Sequence, residues 1–168
     1  MKRCKLNELI MIMIEQLEIL PARRQREGVH PSITADQISD LVDRFYARVF
    51  DDAMLSPIFQ QQTTDDWPLH LEKMKAFWRS VLLKTGEYKG KPVLAHQKLE
   101  GISTQHFDAW LTLFSQATSE VFTPDAAPFV NAAAARIATS LWLSRTTDPF
   151  ASPPEWSVAN TLPSSDKD

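Results

Sequence analysis

The chain is poor in the residues that build disulfide scaffolds, metal clusters and phosphate loops. Of its 168 residues one is a cysteine, Cys4, so no intramolecular disulfide can close and no cysteine cluster can hold zinc or an iron–sulfur centre. Four glycines are too few for glycine-rich phosphate loops or for a fold of many tight hairpins. Neither sign of charge is in large excess: the formal net charge is -3, which leaves no electrostatic footprint for nucleic acid. Long apolar runs are also lacking, so nothing in the sequence spans a bilayer. The stretch Leu9-Ile10-Met11-Ile12-Met13-Ile14 behind Lys2, Arg3 and Lys5 superficially matches a secretory signal. Glu8, Glu15 and Glu18 interrupt that pattern, and no small-residue cleavage site follows. The expectation is a cytoplasmic protein without a membrane or nucleic-acid partner, and Met11 and Met13 leave room for a later translation start.

What is present is helical periodicity over a length that fits one domain. Residues 1–33, with Pro21, Arg23, Arg24, Arg26, Gly28 and Pro31 near their end, read as a flexible extension with room for a short helix. Residues 34–146 read as the folded domain, and residues 147–168, with Pro149, Pro153, Pro154 and Pro163, as a disordered tail. Thr34-Ala35-Asp36-Gln37 has capping-box form and opens a helix with the apolar stripe Ile38, Leu41, Val42, Phe45, Tyr46, Val49. A turn-like break over 51–59 places Phe59 in a corner. A second helix, expected from 65 to about 83, carries His70, Met74, Phe77 and Val81 on its inner face. A breaker-rich loop, 86–92, leads to a very short helix ending near 99, with Val93, His96 and Leu99 inward. Ser103 is a credible cap for a long helix bearing Phe107, Trp110, Leu111, Phe114, Thr118 and Val121. A last helix follows Thr123-Pro124 through Phe129, Ala133, Ile137 and Leu141 to about 145. No run alternates long enough for a strand and no repeat is visible, so the fold class is all-α.

A plain bundle and a cofactor-bearing fold both fit that outline, and the histidines and aromatics discriminate between them. His30 and His106 fall where a solvated role is the better reading. His96 faces inward on a helix too short to stand alone; taken singly, a buried imidazole bonded to a backbone carbonyl is the commoner explanation. His70 borders the same inner face one turn before Met74. Tyr46 and Trp110 lie on buried stripes and carry polar atoms that need partners, which backbone carbonyls usually supply.

The order of these residues carries more weight than any of them alone. Phe45-Tyr46, Leu55-Ser56-Pro57-Ile58-Phe59, Trp67 with His70, Phe77-Trp78, Gly86-Glu87-Tyr88-Lys89-Gly90-Lys91-Pro92, His96, and Phe107 with Trp110 together resemble the third group of truncated haemoglobins over residues 34–145. The resemblance implies a trimmed globin of two helices stacked over two, holding haem b. It implies His96 as the proximal iron ligand, Phe59 as the aromatic at the haem edge, Tyr46 and Trp110 as distal hydrogen-bond donors and His70 as the distal gate. Met74, Phe77 and Val93 would then line the haem, and Lys73 would lie within reach of a propionate. Ser56 and Lys84 stand where that family often has glycine. The glycine pairs of the other truncated groups are absent, and the two extensions have no counterpart in the pattern.

The function implied is reversible binding of oxygen, nitric oxide or carbon monoxide at a histidine-held iron, with fixed donors stabilising a ligand that gains negative charge. An enzyme that oxidises nitric oxide or uses peroxide is the alternative, and it needs a separate reductase because no flavin fingerprint is present. A haem-free regulatory helical protein is the third reading. The expected assembly is a monomer or weak dimer. No other histidine is expected on the proximal side to replace His96.

Overall fold

A computed structural model describes residues 27–62, 67–97, 101–148 and 150–156. Six helices occur among the described residues: α1 (Ala35–Asp51), α2 (Ser56–Gln62), α3 (Trp67–Leu82), α4 (Pro92–Gln97), α5 (Thr104–Val121) and α6 (Ala127–Leu143). No strand occurs among those residues.

The opening of α1 follows from its cap. The Gln37 N–H donates to Thr34 Oγ1 at 3.3 Å while Gln37 Oε1 accepts the Thr34 N–H at 2.9 Å, so two otherwise orphaned backbone donors are satisfied. The expected stripe, Ile38 to Val49, is buried along one face, and α1 packs through it on α5, α3 and α2. α6 packs on α5, α3 and α4. Where α5 meets α6, the buried side chains on α6 include Ala133, Ala134 and Ala138, small enough to bring two backbones close. Phe45, Trp78 and Phe114 lock the layers together, with Trp78 stacked on Phe114 at 4.6 Å and Phe45 edge-on to it at 5.3 Å.

Four expectations are corrected. The break over 51–59 is not all turn, because Ser56–Gln62 is helical. Asp52 Oδ1 accepts the Met54 and Leu55 N–H groups at 2.9 and 2.8 Å, which nucleates the turn that Ser56 and Pro57 continue. Phe59 therefore projects from a short helix. Phe129 is not an inner residue of α6: it is 42% exposed and meets the His30 ring at 5.2 Å, while Val130 takes the buried position. The segment before Thr34 is not wholly loose, since the Val29 N–H donates to Leu82 O at 2.8 Å and Ile33 is buried. Nor is the segment after residue 146 wholly a tail. Trp156 is 4% exposed, its Nε1–H donates to Thr139 Oγ1 at 2.9 Å, and its ring lies 5.9 Å from Phe107. Prolines stop a helix there without preventing a large indole from burying itself. The readings of residues 1–26 and 157–168, and of Asp65 and Asp66 as helix caps, lie outside the described residues, as does Leu99.

Candidate functional site

A cavity of about 370 Å³ opens between α3 and α4 and is closed from behind by α1, α5 and α6. Tyr46, Phe59, His70, Lys73, Met74, Phe77, His96 and Trp110, all singled out in the sequence, line it. Val93 does not: it is 36% exposed, and Pro92 borders the cavity in its place. Position 93 lies three residues before His96, about 60° away around a helix of 3.6 residues per turn. With only six residues in α4, no periodicity fixes which side of the histidine is inward.

His96 is the group best arranged to bind a metal. Its Nδ1 lies 2.8 Å from Pro92 O, and because a carbonyl can only accept, the proton is on Nδ1 and Nε2 keeps its lone pair. Burial pushes the imidazole below the ordinary histidine range; the Pro92 hydrogen bond opposes this and nearby Arg145 adds to it, so the neutral form persists at pH 7. Among the described residues no cluster of three or more His, Cys, Asp or Glu could hold an ion unaided. One neutral imidazole beside a mainly apolar cavity instead suits a metal whose other ligands arrive with a planar cofactor. The residues present therefore fit a haem.

The opposite wall supplies donors and aromatics. Tyr46 is 6% exposed, and burial raises its hydroxyl well above the ordinary phenol range, with nearby Tyr88 adding to the rise, so it stays protonated as a donor. Its ring meets Phe59 at 5.8 Å, Trp67 at 5.3 Å and His70 at 5.9 Å, all edge-on. His70 stacks on Trp67 at 5.2 Å and 21°. Half-buried, it is shifted below the usual range by desolvation first and Lys73 second, and is neutral at pH 7. Trp110 is clamped by Phe45 at 5.3 Å and Phe114 at 5.3 Å, which fixes the plane of its indole.

Ile102 and Ala138 reach the cavity with no local sequence signal, and Leu55, Trp78, Phe107 and Leu141, legible only as motif or stripe residues, are brought to it by tertiary packing. Tyr88 reaches it from the loop, seated against Phe77 at 5.2 Å. A Cβ on Gly90 would lie 2.2 Å from the Tyr88 hydroxyl, so a larger residue there would push the Tyr88 ring from its seat. His106, set aside as a solvated residue, also lines the cavity. The Ser103 N–H donates to its Nδ1 at 3.1 Å, and Ser103 Oγ lies 2.8 Å from the same atom. That leaves the His106 proton on Nε2, so neither nitrogen offers a free lone pair and this ring does not compete with His96.

Comparison with known proteins gives a consistent picture. Residues 32–133 match the bacterial-like globin family. Over 94 residues the chain is 32% identical to the group 3 truncated hemoglobin of Campylobacter jejuni, covering 54% of this chain and 74% of that protein. The crystal structure of the group III truncated hemoglobin from Campylobacter jejuni aligns with a TM-score of 0.64 at 27% identity, over 70% of this chain and 95% of that one.

Proposed function

Since the chain belongs to the bacterial-like globin family and is a haem-binding globin of the group 3 truncated haemoglobin type, we propose that His96 would hold the haem iron and that Tyr46 and Trp110 would donate hydrogen bonds to a diatomic gas. The observation that carries this reading is the His96 Nδ1–H to Pro92 O hydrogen bond, which orients the ring and leaves Nε2 as its only free lone pair. Haem b, when bound, supplies an iron with one position open to oxygen, nitric oxide or carbon monoxide. Around it the chain's own residues divide the work. His96 donates a lone pair. Tyr46 holds a proton on its hydroxyl and presents it to a ligand that gains negative charge, and Trp110 offers an indole N–H in the same role. Phe59, Met74 and Phe77 exclude water, which strengthens those hydrogen bonds. Lys73, at the cavity edge, would pair with a propionate of the bound group. His70, stacked on Trp67 at the rim, acts as a gate that admits ligand when it swings toward solvent. Turnover of nitric oxide or peroxide on this site draws electrons from a separate reductase. The protein is read as a cytoplasmic monomer or weak dimer.

The test is the absorption spectrum of purified protein loaded with haem, recorded oxidised, reduced and with carbon monoxide. His96→Ala loses the haem, whereas His70→Ala and His106→Ala keep it. Retention of haem by His96→Ala together with its loss from His70→Ala or His106→Ala overturns the assignment.

A further inference from the structure

The helix that carries His96 is poorly equipped to hold itself in place. Its six residues fall well short of the roughly 12–15 that an isolated helix needs to persist in water. Among the described helices it packs on α6 alone, and the outward turn of Val93 removes apolar burial from that contact. Two polar ties remain. Gln97 Nε2–H donates to Ser144 O at 3.0 Å, and the Arg145 guanidinium donates to the carbonyl of His96 itself. The far ends of both ties are rigid: Ser144 Oγ donates to Leu141 O at 2.7 Å, and the Arg145 N–H donates to Trp142 O at 3.0 Å. Ser144 and Arg145 also lie past residue 133, where the match to the globin family ends.

We propose that Arg145 is a positioning residue for His96: with Gln97 it staples α4 to the end of α6 and sets the angle and distance at which the imidazole meets the haem iron. This rests on the reading of His96 as the iron ligand. A planar cation bound to a carbonyl is directional as well as strong. With it the carbonyl of His96 is held against the end of α6, and without it only the Gln97 tie and the packing on α6 oppose a slide or tilt of α4. The imidazole moves with its backbone, because its Nδ1–H is bonded inside the same helix.

The experiment uses full-length haem-loaded protein and reads the iron–histidine stretching band of the ferrous form by resonance Raman, the rate of haem transfer to an acceptor globin, and the far-UV circular dichroism melt. Arg145→Leu is expected to shift and broaden the band and to speed haem loss about tenfold. Arg145→Lys, which can still donate to the carbonyl, recovers part of both effects. Gln97→Ala acts in the same direction, and the double variant is non-additive because the two ties hold one helix. A band and a transfer rate that Arg145→Leu leaves unchanged, or a lowered melt with an unshifted band, overturns the inference. If Arg145→Leu does not fold, an Arg145→Lys band identical to wild type, with Gln97→Ala also silent, does the same. A wild-type band that persists in His96→Gly overturns the ligand assignment instead, so the two failures are distinguishable.

Discussion

The Tyr46 hydroxyl is a single atom that separates ligand chemistry from packing. The ring sits among Phe45, Phe59, Trp67 and His70, and Tyr46→Phe keeps those contacts while removing only the donor. Fold and haem content should survive. A lost neutral hydrogen bond worth about 1.4 kcal/mol speeds oxygen release roughly tenfold and hardly changes association, since the deletion acts on the complex. Carbon monoxide, less polar when bound, responds much less. Trp110→Phe acts in the same direction, with an added packing effect on both ligands because the smaller ring leaves space beside Phe45 and Phe114. Stopped-flow oxygen release checks both variants. An unchanged rate in Tyr46→Phe, accompanied by lower thermal stability, would assign the hydroxyl to the core.

At the level of elements, helix ends and turns expose a local conflict at Lys84. α3 ends at Leu82, and Lys84 then adopts φ +60°, a left-handed conformation that costs an L-residue with a Cβ about 1 kcal/mol or more and glycine almost nothing. Lys84→Gly is therefore expected to raise the unfolding free energy by up to about 1 kcal/mol, less whatever the added freedom of the unfolded chain takes back. Lys84→Ala gives no such gain, and urea unfolding distinguishes the two; equal effects would mean that the backbone carries no strain there. This position is one of the places where the sequence already pointed, because lysine stands there where the group III pattern favours glycine. α1, α3 and α5 were legible from stripes of three turns or more, and the Thr34 cap from its own four residues. α2 was not, because seven residues show no period and its start depends on the Asp52 carboxylate. The cavity's side chains were legible where they lie on long stripes, as Tyr46, His70 and Trp110 do. They were not where tertiary packing decides, since Val93 turns outward and His106 turns inward, and away from the cavity Trp156 returns to Thr139 across seventeen residues. No pattern in the intervening sequence encodes those meetings.

Over the whole molecule, two kinds of titration weaken the fold in acid, and they separate by pH and by salt. Burial lowers the pKa of His70 in the folded state below its ordinary 6.5. A depressed histidine contributes stability that is fully present above 6.5. Below that pH the unfolded chain takes up a proton the folded chain refuses, so stability falls until the lowered folded value is passed. His96 has the same sign, since desolvation also depresses it and a proton on Nε2 competes with metal binding. The carboxylates act later. Glu87 is lowered from 4.5 chiefly by its hydrogen bond to Arg79, and Glu120 chiefly by that to Arg48. Each contributes stability present above 4.5 and lost as pH falls through its folded value. These pairs are partly exposed and salt screens them, whereas the desolvation that chiefly lowers the two imidazoles is insensitive to salt. Urea midpoints of the haem-loaded protein, followed by far-UV circular dichroism, should therefore decline in two steps as the pH is lowered. High salt flattens the step below 4.5 and leaves the one below 6.5. His70→Leu shrinks the upper step by its share, up to one proton in the slope, while leaving the lower one intact. If the upper step survives unchanged in His70→Leu, or vanishes in salt, desolvated neutral histidine is not what sets the molecule's acid limit near neutrality, and the uncharged state of the His70 gate at pH 7 loses its physical basis.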